Sequence, residues 1–225
     1  MPRFDVALVN AAAYPQEQVS DFLIAMRTYL VWVADFWPET VGSTLREVSH
    51  GADMTGLAPL VLAPNTTMAG SLGYHDKMRD GMPTGIVERA ACDAFNWPWT
   101  IAAAHELGEL LIDPTTDRMV TVAGRTFPVE IADPTTAERG HMIGNVEVAN
   151  FTTPAFWGLP GPAGRYDMYA TVPRPLPTIP HLGWLEWWSG SAWQNEWGAE
   201  PDPATLAYHN AHVGRRAMIR ATVPV

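Results

Sequence analysis

The chain has 225 residues, 47% of them hydrophobic, with ten tryptophans, enough to bury a sizeable core as one large domain or as one domain with an appendage. Fourteen Lys and Arg against 24 Asp and Glu leave a net charge of −10 with no basic run, which argues against nucleic acid as a partner and suits cations. Cys92 is the single cysteine, so no intrachain disulfide forms. The start, MPRFDVALVN, lacks the apolar core of a signal peptide, and no apolar run approaches the roughly 18 residues of a membrane span. The expectation is a soluble protein made in the cytoplasm, with no membrane partner.

FDVALVN (4–10) is an apolar run of strand length. In residues 16–36, Val19, Phe22, Leu23, Met26, Tyr29, Leu30 and Val33 recur with a 3.6-residue rhythm, which predicts an amphipathic helix of about five turns. TLREVSH (44–50) and LAPLVLAPN (57–65) read as short strands. SLGYHD (71–76) precedes a loop with Gly81, Pro83 and Gly85 as breakers, and GIVERAACDA (85–94) is a further strand candidate.

IAAAHELGELLIDP (101–114) reads as an apolar helix capped by Asn96, with Pro98 in its first turn and Pro114 as its stop. At about 100° per residue, positions i and i+4 lie about 40° apart, so His105 and Glu109 project from one face, one turn apart. Glu106 sits about 100° round, within reach of a ligand held by the other two.

MVTVAG and RTFPVEIADP (125–134) follow, and VEVANFTTPAFW (146–157) reads as a strand leading into a turn. Residues 158–183 hold six prolines and four glycines, so long regular elements are not expected there. WLEWWSGSAWQNEW (184–197) concentrates five of the ten tryptophans at a spacing that partly follows a helical face. That predicts core packing of the C-terminal region, or anchors for a neighbouring protein. The chain therefore divides into residues 1–157 and a Pro/Gly- and Trp-rich extension, 158–225, packing on the domain or on partner chains.

The order strand, long helix, several strands, motif helix resembles the zincin fold, with HExxE in place of the HExxH metallopeptidase helix. More closely, the chain resembles a family of zincin-like proteins encoded by bacteriophages and prophages. The matching pieces are VALVN, GYHD with its glycine/proline loop, HELGELLIDP, VEIADP, VEVANFTTPAFW and GRRAMIR. The resemblance implies an α+β fold in which a twisted mixed sheet packs on two main helices. SLGYHD would be the edge strand bordering the cleft.

A catalytic zinc takes three protein ligands and an open position. His105 and Glu109 supply two. The resemblance implies an acidic third, Glu130 first, with Asp133 the close alternative and His141 a weaker one. Glu106 is then the general base that moves a proton from water to a leaving amine. His75 or Tyr74 on the edge strand would polarise a carbonyl, and Asp113 would orient His105 or cap the turn. One imidazole with two carboxylates leaves a divalent metal formally neutral, against +1 for two imidazoles and one carboxylate. Zn2+ then binds more weakly and polarises less, and Ca2+ and Mn2+ become competitors.

Other readings of these residues are structural. A His and two Glu on a helix are commonest as a solvated face, but here they are embedded in apolar sequence, where buried charge must be compensated. His75 reads equally as a histidine bonded to backbone. His209 and His212 suit a surface helix or an interface, Met68, Met78 and Met82 suit packing, and Cys92 is expected to be buried and inert. Two functions follow. One is a phage-encoded metal-dependent peptide hydrolase. The other is a virion component that keeps the scaffold without catalysis, its metal structural or absent, and binds neighbouring virion proteins or its own copies through the Trp-rich region.

Overall fold

The computed structural model describes residues 5–65, 72–77 and 81–199. The calls on His209, His212, Met68, Met78 and GRRAMIR lie outside the described residues. In chain order the first part comprises β1 (Asp5–Asn10), α1 (Gln16–Phe36), β2 (Thr44–Glu47), β3 (Ala58–Ala63), β4 (Gly73–Lys77), β5 (Pro83–Glu88), α2 (Arg89–Ala94) and α3 (Trp99–Ile112). The five strands form one sheet in the order β2-β1-β3-β5-β4. Four strands run parallel, and β4 lies antiparallel to β5 at the edge.

The apolar run Val6–Val9 is wholly buried because β1 lies between β2 and β3 and is covered on both faces. α1 buries Val19, Phe22, Ala25, Met26, Tyr29 and Val33, one stripe at helical spacing. α3 differs: all but Thr100 and His105 of its 14 residues are buried. It packs on β5, β4 and α1, and Trp99 at its start stacks on Tyr14 at 4.7 Å and meets Phe22 at 5.0 Å. A helix enclosed on all sides can carry charged residues only where they face compensating groups.

After α3 come β6 (Met119–Val122), β7 (Arg125–Pro128), the two-residue strands β8 (Met142–Ile143) and β9 (Val146–Glu147), then β10 (Trp184–Trp188) and β11 (Trp193–Trp197). A second sheet has the order β11-β10-β7-β6. The segment beyond Gly158 thus returns to pair with β7, through Trp188 opposite Thr126. The architecture is α+β: a mixed sheet with its helices, and a separate antiparallel sheet. Among the described residues no helix is long and apolar enough to cross a membrane.

Five local expectations change. Pro83 and Gly85 do not break a loop but belong to β5: Pro83 takes the first strand position, where its missing N–H is tolerated, and Gly85 lies against Leu60, where a Cβ would come within 2.9 Å of the leucine side chain. Residues 89–94 leave β5 as a short helix, because RAACDA offers three alanines and no alternation to continue a strand. Asn96 does not cap α3. It sits in the left-handed region (φ 49°), its N–H bonded to the Asp93 carbonyl, while Pro98 leads into the helix without a side-chain cap. Only Val146–Glu147 of the 146–157 run is strand, since the polar residues beyond it bond to side chains and distant backbone, as Thr153 does to the Arg165 carbonyl at 2.6 Å. The tryptophans lie on a hairpin rather than a helix. Ser189 and Gly190 (φ 93°) turn the chain, and Trp184 faces Trp197 while Trp188 faces Trp193 across the strands. Two tryptophan-bounded runs about a Ser-Gly-Ser-Ala link are a hairpin signal that outweighs an approximate helical spacing.

Candidate metal centre

The cluster forms where α3, β4 and the loop after β7 meet. Strand alternation turns Gly73 and His75 to the same face, toward α3, and Tyr74 to the other. A Cβ at Gly73 would lie 2.9 Å from both Cγ and Oε1 of Glu106, so this crossing of strand and helix admits no side chain. On α3, His105 and Glu109 stand one turn apart, with Glu106 turned toward β4.

The third element is positioned by the turn after α3. The Asp113 carboxylate accepts the N–H groups of Asp117 and Arg118 at 3.0 Å, so it caps the turn, and Arg118 donates back to the Ile112 carbonyl at 3.3 Å. The chain then runs through β6 and β7 to a segment alongside α3. Thr152 holds that segment: its N–H and hydroxyl both donate to the Ile131 carbonyl, at 2.7 and 2.8 Å. The N–H of Ala132 reaches Oε1 of Glu109 at 3.4 Å. Glu130 and Asp133 are thereby delivered to the cluster, both buried.

Two groups have ligand atoms within 4.8 Å of one another: His105, Glu109 and Asp133, and His75, Glu106 and Glu109. In the first, Nε2 of His105 lies 3.1 Å from Oε1 of Glu109 and 3.3 Å from Oδ1 of Asp133. In the second, Nδ1 of His75 lies 3.3 Å from Oε2 of Glu109 and 3.6 Å from Oε2 of Glu106. Glu130 approaches the other ring nitrogen, Nε2 of His75, at 3.4 Å. Of the sequence-predicted ligands, His105, Glu109, Glu130 and Asp133 are therefore together with the predicted base Glu106, Glu130 backing His75 and Asp133 beside His105. His141 is elsewhere, bonded to Glu138 at 2.8 Å and stacked on Tyr169.

Both ring nitrogens of His75, Oε2 of Glu106 and Oε2 of Glu109 are buried and make no hydrogen bond. The spacing accounts for this. Ligands bound at 2.0–2.1 Å in a tetrahedron stand about 3.3 Å apart, too far for a good hydrogen bond between them. The observed separations of 3.1–3.6 Å fit groups arranged to share an ion. The residues present therefore suit a divalent cation.

Without a cation the histidines take up charge. Burial works against a protonated His75, but the facing Glu106 and Glu109 carboxylates outweigh it and push the ring up to about 9. Burial likewise opposes protonation of His105, and Glu109 with Asp133 carries it well above the ordinary range. Burial would raise Glu109, yet His105 and His75 hold it well below the usual carboxylate range. The buried hydroxyl of Tyr29 is pushed up by desolvation and by the Glu109 charge, and its oxygen would lie 3.3 Å from a Cβ at Gly108.

Sequence reasoning placed His75 near a substrate carbonyl and did not group it with the carboxylates. The available signal was Gly73 two residues earlier, which marks the strand face that closes on a helix. Compared with protein-family models, curated proteins and solved structures, the chain matches none.

Proposed function

We propose that the chain is a zincin-like, metal-dependent hydrolase with peptides as its substrate class. The single observation that carries this reading is the convergence of His105, Glu109 and Asp133 around α3, with ligand atoms within 4.8 Å of one another and Nε2 of His105 at 3.1 and 3.3 Å from the two carboxylates, the separations of a shared ion. The edge position of β4 over the motif helix also supports it, since an extended peptide adds to a sheet edge.

His105, Glu109 and Asp133 are the residues that would hold the cation. The side chain of His105 is 13% exposed against 0% and 7% for the two carboxylates, so solvent and substrate approach from its side. A divalent ion there supplies Lewis acidity toward a carbonyl oxygen and makes water more acidic. Glu106, whose carboxylate comes within 4.8 Å of that of Glu109, is the group that accepts a proton from water and returns it to a leaving amine. His75 steadies Glu106 from β4, and Glu130 steadies His75 from behind. One imidazole and two carboxylates make a hard, formally neutralising ligand set, so Zn2+ and Mn2+ are the cations to test first.

The test pairs metal analysis of the purified protein with a casein or peptide assay of wild type against Glu106→Gln. Stoichiometric metal with cleavage lost in the variant supports the reading. Stoichiometric metal without cleavage of any peptide substrate overturns the hydrolase and leaves a structural metal protein.

A further inference from the structure

We infer that the chain holds a second divalent cation, bound by Nδ1 of His75, Oε2 of Glu106 and Oε2 of Glu109, and joined to the first through Glu109 as a bridging carboxylate. The inference rests on the metal reading above and deepens it from one ion to two. Glu109 divides its oxygens: Oε1 faces His105 and Oε2 faces His75. An ordinary buried carboxylate turns both oxygens to hydrogen-bond donors, yet here Oε2 makes no hydrogen bond. The His75 side chain is 1% exposed, and its Nδ1 is likewise without a hydrogen bond while aimed at two carboxylates.

Charge points the same way. Glu106, Glu109, Glu130 and Asp133 bring four carboxylates, formally −4, into one buried region. One divalent cation offsets half of this and two offset all of it, which removes the penalty for uncompensated buried charge. Glu130 completes the arrangement. The Glu130 carboxylate, 3.4 Å from Nε2 of His75, electrostatically favours the ring proton on that nitrogen, so that Nδ1 presents a lone pair, the sense of a ligating imidazole and its backing carboxylate. The second cation takes up Oε2 of Glu106, so proton transfer by Glu106 belongs to the form with the first site alone filled, and filling the weaker second site lowers cleavage.

The test uses untagged full-length protein stripped with chelator and titrated with Zn2+ or Mn2+ alone. Native mass spectrometry counts ions per chain, and electron paramagnetic resonance follows the Mn2+ form. Wild type is expected to take up two ions and to show a spin-coupled Mn2+ pair. His75→Ala is expected to take up one ion, with an uncoupled six-line signal. Glu130→Gln should keep both ions, with the weaker one bound about 10–100-fold less tightly. One uncoupled ion in wild type, unaffected by His75→Ala, overturns the second site and leaves the first standing. Two ions retained by His75→Ala also overturn it. No bound ion in wild type overturns both readings. Should His75→Ala fail to fold, the coupled or uncoupled wild-type signal decides the matter.

Discussion

Glu109 meets two imidazoles with its two oxygens, Oε1 at 3.1 Å from His105 and Oε2 at 3.3 Å from His75. The carboxylate is fully enclosed, and among the described residues the backbone donor that reaches it is the Ala132 N–H at 3.4 Å. Its charge is therefore balanced chiefly by the two histidines or by a cation. Glu109→Gln keeps the shape and removes the charge. Metal affinity should fall at least 100-fold by calorimetric titration. The metal-free variant should also lose about 3 kcal/mol in urea unfolding, the scale for breaking a buried ion pair. Unchanged affinity would place the cation elsewhere.

Glu106→Gln separates proton transfer from metal holding. The first cation group contains His105, Glu109 and Asp133 but not Glu106. The variant should therefore keep one ion per chain while peptide cleavage falls 100- to 10,000-fold, the range for losing a general base. Asp133→Asn is the complement: affinity for the first ion drops and cleavage follows it, and added metal restores part of the rate. Metal analysis and turnover on the same preparations distinguish the two.

Much of this arrangement was legible in the sequence because helical periodicity is local. The rhythm from Val19 to Val33 set α1 at residues 16–36, and the HELGE spacing put His105, Glu106 and Glu109 together on α3. The partners from other elements were harder to assign. Glu130 and Asp133 are three residues apart on an irregular segment, and which of them faces His105 depends on Thr152 and Ala132, contacts that no local pattern encodes. His75 was visible as a candidate but not as a member of the cluster, because membership depends on how closely β4 crosses α3 at Gly73. The tryptophan hairpin was misread for a related reason: cross-strand pairs such as Trp188 and Trp193 produce spacings of a few residues that imitate a helix face.

Cys92 bears on handling as well as structure. It is buried on α2, with its S–H directed to the Leu72 carbonyl at 3.8 Å, and burial, aided by Asp93 and Glu88, pushes the thiol up to about 12. The thiolate is the reactive form, so at pH 8 about one thiol in 10,000 is ionised and reactivity rises about tenfold per pH unit. Native protein should resist a disulfide-exchange reagent at pH 8 and react fully in 6 M guanidinium. Rapid native labelling would show that α2 opens readily.

Thr152 lies behind the metal centre and joins both large buried tryptophans to it. Its carbonyl accepts the indole N–H of Trp37 at 3.0 Å, and its hydroxyl accepts that of Trp157 at 2.9 Å while donating to the Ile131 carbonyl at 2.8 Å. Thr152→Val preserves volume and the backbone bonds but deprives the Trp157 N–H of its acceptor, in a place where water does not reach. Leaving one buried donor unsatisfied should cost about 1–3 kcal/mol in urea unfolding. The strain would fall on Ile131, which lies between Glu130 and Ala132, so metal affinity should fall along with stability. Thr152→Ser keeps the hydroxyl and should restore metal affinity to within a few-fold of wild type while lacking the methyl group. If the valine variant binds metal as wild type does, the segment is held in place without the hydroxyl, and the Trp157 bond serves the core alone.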